Sequence, residues 1–256
     1  MTALAAAVAL AVLLALLGHR WRWLTQRGAI AAAAIGTLIF HSAGWLGGLM
    51  LASLFVSGSL LTYHSSGGTL PGDQRRTGRG AAQVVANAGW AATGAALIRI
   101  SPPLGWALVG GALAAAQADT WATEIGLRSG ARPRMITTGR SVTPGTSGAV
   151  SAVGSVGGVL GAGVLAAIAW TGLTFSLGAW TFVGGVVGFT ADSLIGATIQ
   201  TRWSCPSCRA TFERPGRHCG RLLAHDRGLR WVGNDMVNGL ATGCGAFVAA
   251  AGQLTM

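Results

Sequence analysis

Lysine is absent from this sequence, and all eighteen basic residues are arginine. Acidic residues are scarce as well, seven in 256. Charged residues make up 10% of the chain, against about 25% in soluble domains. A soluble fold with so little charge has too few polar groups to cover its surface, so that class is excluded. The formal charge of +11 raises the question of nucleic acid. The arginines, however, sit in short loops between apolar segments, which is a topology pattern rather than a basic groove. No nucleic-acid partner is expected. A basic leader is also lacking: Met1 to Leu17 is apolar, and Arg20, Arg22 and Arg27 follow it. A secretory signal has the opposite order. The order here predicts a retained helix with its N-terminus outside.

What is present is apolar and small: 51% hydrophobic residues and 41 glycines. Glycine and alanine suit membrane helices that pack backbone to backbone. Eight apolar segments can be drawn, at about 2–18, 28–43, 45–62, 81–98, 103–121, 147–170, 178–199 and 231–253. A span needs about 20 residues, with a lower limit near about 17. The first three are short, and His41-Ser42-Ala43-Gly44 is the best turn between the second and third. Seventeen of the eighteen arginines, all but Arg99, fall in alternate loops. By the positive-inside rule those loops are cytoplasmic, and the number of spans is even. The expectation is an all-α, polytopic protein of the plasma membrane with about eight transmembrane helices and both termini outside. Residues 1–256 form a single transmembrane domain, and a Cys-rich cytoplasmic loop, 200–230, lies between the last two helices.

That topology brings the rare polar residues to one depth. Asn87 lies near the cytoplasmic end of the fourth segment, four residues from Gln83 and on the same helix face. Asp119 and Glu124 end the fifth, Asp192 lies near the end of the seventh, and Asn234, Asp235 and Asn238 begin the eighth. Any one of them alone reads equally well as a cap or as interhelical glue; Asn234 or Asp235 in particular suits the cap of the last segment. Together they read differently. Four carboxylates at one depth, without an intramembrane lysine, repel one another unless a cation sits among them. Oxygen ligands of this kind suit Mg²⁺, held by one or two carboxylates and substrate phosphates. Asp119, Asp192 and Asp235 are the expected Mg²⁺ ligands, and Asp119, Asp192 and Glu124 the catalytic acids. Asp119 and Glu124 are about 140° apart on an ideal helix. Either the helix ends near Ala122 and Glu124 curls back, or the two acids have different jobs.

Pro144-Gly145-Thr146-Ser147-Gly148 precedes the sixth segment. If it opens that helix, free N–H groups and the Thr146 and Ser147 hydroxyls offer an anion site, with phosphate as the usual guest. Arg79 and Arg140 are the loop cations expected to meet such anions, with Asn87, Asn234 and Asn238 completing the shell. In the Cys-rich loop, Cys205, Cys208, His218 and Cys219 have the spacing of a structural Zn²⁺ site. That zinc is expected to be structural only. The alternatives there are free reduced thiols, or His225 in place of His218. Most of the ten tryptophans lie near segment ends, which interfacial anchoring explains.

Five stretches occur in a telling order: Gln83-Val84-Val85-Ala86-Asn87, Ala118-Asp119-Thr120-Trp121-Ala122-Thr123-Glu124-Ile125-Gly126, Gly145 to Gly148, Ala191-Asp192-Ser193-Leu194-Ile195-Gly196-Ala197-Thr198, and Asn234-Asp235-Met236-Val237-Asn238. As a set, from about Arg79 to Gly243, they resemble the integral membrane family that includes plant chloroplast phytyl-phosphate kinase. The resemblance implies transfer of a phosphoryl group from a nucleoside triphosphate, CTP in that family, to an isoprenoid monophosphate at the cytoplasmic face. The Cys-rich insert departs from the plant pattern. A lipid cytidylyltransferase would use the same ions. A transporter is the alternative from another class, and it would place its site at the membrane midplane.

Overall fold

Each helix starts where the sequence supplies a cap or a permissive residue. In the computed structural model, which describes residues 2–65 and 78–255, α1 is Thr2–Arg20 and α2 is Gln26–Ala52. Thr25 caps α2, its hydroxyl accepting from Gly28 N–H at 3.0 Å. A π-helical turn, Ser53–Ser57, joins α2 to α3, Gly58–Ser65. α4 is Ala81–Leu97. α5, Pro102–Arg128, opens on two prolines, where missing N–H groups cost nothing. Ser151 caps α6, Ala152–Gly172, and Thr174 caps α7, Phe175–Thr198. α8 is Asn234–Leu254, and its cap is Gly233, so neither Asn234 nor Asp235 is spent on capping. Asp73, Arg75 and Arg76 fall outside the described residues.

The turn expected at 41–44 is present. Gly44 has φ 59° and ψ −155° inside α2, a conformation that glycine adopts without a steric cost. The chain doubles back there. A Cβ on Gly48 would fall within the Phe40 ring, and one on Gly36 would lie 3.9 Å from Leu51. Both ends of this hairpin meet at Arg79: its carbonyl lies 2.0 Å from a Cβ built on Gly28, and its guanidinium 3.3 Å from one built on Gly58. The other helices obey the same two-ended order. Among the described residues, every arginine except Arg99 lies at the Arg79 end of the bundle. The opposite end gathers Gly44, the α4–α5 and α6–α7 turns and the end of α8, where Ser176 donates to Gln253 at 3.1 Å.

By length and composition, three helical stretches are apolar enough to cross a membrane: Gln26–Tyr63, Ala152–Gly172 and Phe175–Thr198. Leu4–Arg20 is shorter. The expected eight segments are recovered as helices, but not all as simple spans. The second and third are arms of one folded stretch. α4, α5 and α8 carry the polar residues that lower their hydropathy.

α5 is the axis of the bundle. It touches α4, α6, α7 and α8, and Ala107 to Ala118 are buried without a break. A helix of small apolar residues on every side belongs inside. Large side chains such as Leu13, Ile30, Leu160 and Phe247 face outward, as a lipid-facing surface requires. The all-α expectation needs one correction. Residues 134–135 pair with 149–150 as a short hairpin, β1–β2, and the 200–230 loop is itself a small β unit. There β4 (Thr211–Phe212), β3 (Arg202–Ser204) and β7 (Ala224–Arg227) form one sheet, beside a β5–β6 hairpin at 217–218 and 221–222. Short runs between turn residues, too brief to show a period, hid these strands.

Candidate functional site

Glycine decides where the acids meet. α5 and α7 run in the same direction in backbone contact. A Cβ built on Gly185 would lie 2.9 Å from Ala114 Cβ, and one on Gly188 2.3 Å from Ala115 Cβ. One turn further toward the arginine end, Ala115 is followed by Asp119 and Gly188 by Asp192. The two carboxyl groups are consequently within electrostatic reach of each other. Asp192 Oδ2 is buried and has no hydrogen-bond partner among the described residues. α8 closes the third side, with Ala241 O 2.9 Å from the Gly188 Cβ position and Gly245 against both helices. Asn238, buried and about one turn before Ala241, sits at the level of the acids.

Glu124 is hydrogen-bonded to α3. α5 remains helical through Arg128, so Glu124 does not curl back and the first alternative fails. It faces α3: its Oε1 accepts from Thr62 Oγ1 at 2.9 Å, and Arg79 is its electrostatic partner. Its Oε2 is buried without a partner among the described residues. Arg79 also donates to Ser59 Oγ at 2.6 Å. Gln117, 0% exposed, ties α5 to its neighbours by accepting from Ser53 Oγ and donating to Gly161 O, both at 3.0 Å. Trp121 donates to Ser57 Oγ at 2.9 Å. The π-helical turn thus holds the side of α5 next to the acid pair; such turns recur at functional sites.

Between α1, the α2 hairpin and α4 lies a cavity of about 90 Å³. Leu14, Leu24, Ile35, Phe40, Leu51 and Phe55 give it apolar walls, and Arg79, Asn87 and Thr120 are its polar lining. Thr120 adjoins Asp119 in the chain.

The remaining expected residues divide. Gly145 to Gly148 do not open a helix: α6 starts at Ala152, and Gly145 (φ 82°) and Gly148 (φ 80°) are loop residues. Thr146 is held by Thr143, its hydroxyl donating to Thr143 O at 2.7 Å. Ser147 donates to Glu213 Oε1 at 2.7 Å. Gly148 is pressed on the end of α7, where an added Cβ would lie 2.4 Å from Ala197 N. Asp235 lies 3.6 Å from Arg214, which makes it an ion-pair partner in this structure. Asn234 opens α8 on the face of Asn238. Arg140 is exposed, engaged through its backbone with Met135 and Thr138, and is not brought to the acids.

Two residues were missed by sequence reasoning. Glu213 accepts from Ser147 and from Gln200 Nε2 (3.3 Å) and is an electrostatic neighbour of Asp192. Arg227 donates to Ala197 O, to Gly196 O at 3.2 Å and to Ser147 O at 3.4 Å, capping the C-terminus of α7. Both lie in the Cys-rich loop, where no local pattern marks Arg227 among the seven arginines; for Glu213 the one signal was the scarcity of acids, seven in the chain.

The metal sites differ in character. The donor set Asp119 and Asp192, with a partnerless buried oxygen, fits a hard cation such as Mg²⁺. In the loop, the ligand atoms of Cys205, Cys208, His218 and Cys219 lie within 4.8 Å of one another. Hydrogen bonding to the Cys208 backbone, then to His218, draws the Cys205 thiol down to about 6, and hydrogen bonding with Cys208 raises Cys219 to about 11. His225 is not among the clustered ligands: it pairs edge-on with Trp203, ring centroids 5.2 Å apart.

Residues 9–246 match the family described as integral membrane protein DUF92. The chain belongs to that family. Its helices are therefore those of an integral membrane protein. It is 30% identical over 192 residues to "Uncharacterized membrane protein MJ0933" of Methanocaldococcus jannaschii, covering 74% of this chain and 80% of that one. Over 241 residues it is 28% identical to "Uncharacterized membrane protein sll0875" of Synechocystis, covering 88% and 81%. "Protein PGR" of Arabidopsis thaliana is 34% identical over 125 residues, 40% of each chain. No solved structure matches.

Proposed function

We propose that this DUF92 protein is a membrane phosphotransferase that moves a phosphoryl group from a nucleoside triphosphate to an isoprenoid monophosphate. The observation that carries the reading is the cavity: apolar along its walls, with Arg79, Asn87 and Thr120 as its polar lining, and Thr120 next to Asp119 in the chain. That shape suits a lipid with an anionic head. The resemblance to the phytyl-phosphate kinase family names CTP as donor and phytyl phosphate as a fitting acceptor.

The chemistry needs little from the protein beyond placement and charge. An oxygen of the lipid phosphate attacks the γ-phosphorus, the bond to the β–γ bridging oxygen breaks, and a nucleoside diphosphate leaves. The attacking phosphate is already ionised and needs no strong base. Mg²⁺ held by Asp119 and Asp192 would offset the charge of the nucleotide phosphates. Arg79 would offset that of the lipid head, and Asn87, Asn234 and Asn238 would orient the groups. A midplane site of the transporter kind is disfavoured, because the acids lie toward the arginine end.

Purified protein given each of four nucleotides, Mg²⁺ and a short prenyl phosphate should yield prenyl diphosphate and nucleoside diphosphate. Release of pyrophosphate instead would assign a cytidylyltransferase, and no product with any nucleotide would end the reading.

The same proposal places the arginine end in the cytoplasm of a plasma-membrane protein, with eight crossings counted as α1, the two hairpin arms, and α4 to α8. Single cysteines at Trp45 and Arg217, in a background where the native cysteines are replaced, are expected to label from opposite sides. Labelling from the same side would refute the topology.

A further inference from the structure

The Cys-rich unit is built as if around an ion. Its strands are two to four residues long, far too short for a core of their own. Among its residues, Cys208 Sγ and Cys219 Sγ lie 3.3 and 3.2 Å from His218 Nδ1, and Cys205 Sγ reaches the same cluster. Ligands about 2.0–2.3 Å from one Zn²⁺ in a tetrahedral shell stand at this kind of spacing. Both ligand turns are strained. Arg209, after Cys208, has φ 60°, and Cys219 has φ 51°; neither is a glycine, and such outliers persist where something over-determines them.

What the ion would hold is visible one step along the chain. Cys205 directly follows β3, β3 pairs with β4 through Trp203 and Phe212, and Phe212 packs on the His218 ring with centroids 5.0 Å apart. The next residue is Glu213, which accepts from the Ser147 hydroxyl at 2.7 Å and is an electrostatic neighbour of Asp192. We infer that the Cys205–Cys208–His218–Cys219 knuckle binds one zinc ion, and that this ion positions Glu213 so that it clamps the Ser147 loop onto the end of α7 beside the acid pair. Zinc thus acts beyond its own loop, on a segment more than 50 residues away in the sequence. Glu213 is a positioning residue here. The inference does not depend on which group the site transfers.

Elemental analysis and hydrogen exchange on the full chain in detergent test it. One zinc per chain is expected. Stripping it with a strong chelator should raise amide exchange at least about tenfold at 200–228 and also at 143–150. Glu213→Ala, which removes the acceptor of the Ser147 hydroxyl, should retain zinc and the protection of 200–228, yet lose that of 143–150. Cys208→Ser, if it folds, should match the stripped protein. Less than about one zinc per five chains, or a loop at 143–150 that stays protected in either the stripped protein or Glu213→Ala, would overturn the inference.

Discussion

Replacing Asp119 by Asn is expected to lower turnover at least about a hundredfold while the protein still folds. Asn keeps the size and hydrogen bonding of Asp but removes the charge that attracts a divalent cation. A cation in such a site supplies several kcal/mol of charge stabilisation, and about 1.4 kcal/mol is tenfold in rate. Folding should survive because Asp119 has Asp192 and Glu124 as its charged neighbours, and removing one of three like charges relieves repulsion. A residue that merely caps or bridges would tolerate Asn. The assay is prenyl diphosphate formation at saturating Mg²⁺ and nucleotide, with the unfolding midpoint measured alongside. Turnover within about threefold of the parent would move the cation site elsewhere.

Gly188→Ala should be nearly as damaging, through one methyl group. Its Cβ would lie 2.3 Å from Ala115 Cβ and 2.9 Å from Ala241 O, closer than packed atoms approach. α7 must then move away from both α5 and α8. Overpacking of this kind costs about 1–3 kcal/mol, and a shift of about 1 Å at reacting groups can cost about a hundredfold in rate. Since Asp192 is one turn away, both stability and turnover are expected to fall. Ala115→Gly removes the nearer obstacle, so the double variant should recover much of the loss. A Gly188→Ala protein with parental stability and turnover would show that the close approach of these helices is not what sets the acid pair.

Much of this arrangement was legible in the sequence, and the reasons are specific. The helix positions followed from hydropathy because a bilayer demands apolar length. The turn at Gly44 followed from its glycine. The gathering of Asn87, Asp119, Asp192 and Asn238 at one end followed from alternating arginine loops. That α5 does not end near Ala122 was visible only in the structure, because no breaker marks that point and the helix simply continues to Arg128. The misreading of Gly145 to Gly148 as a helix start has a related cause. Ser151 is an equally good cap, and the choice between them rests on the docking of Gly148 against Ala197, a contact nearly 50 residues distant. Glu213 and Arg227 were hidden for the same reason: their partners, Ser147 and the end of α7, are set by tertiary packing.

Midway along the seam where α5, α7 and α8 meet, Gly111, Gly184, Gly188 and Gly245 face one another and alanines. Such a joint has no rotamers to rearrange. Elsewhere in a protein, a bulky side chain can turn aside and let two helices breathe; here the main chains themselves are the bearing surfaces. Heating or a change of lipid can therefore separate the helices or leave them together, but offers few intermediate settings. The gap between Asp119 and Asp192 inherits that stiffness, as the jaws of a calliper inherit it from the frame.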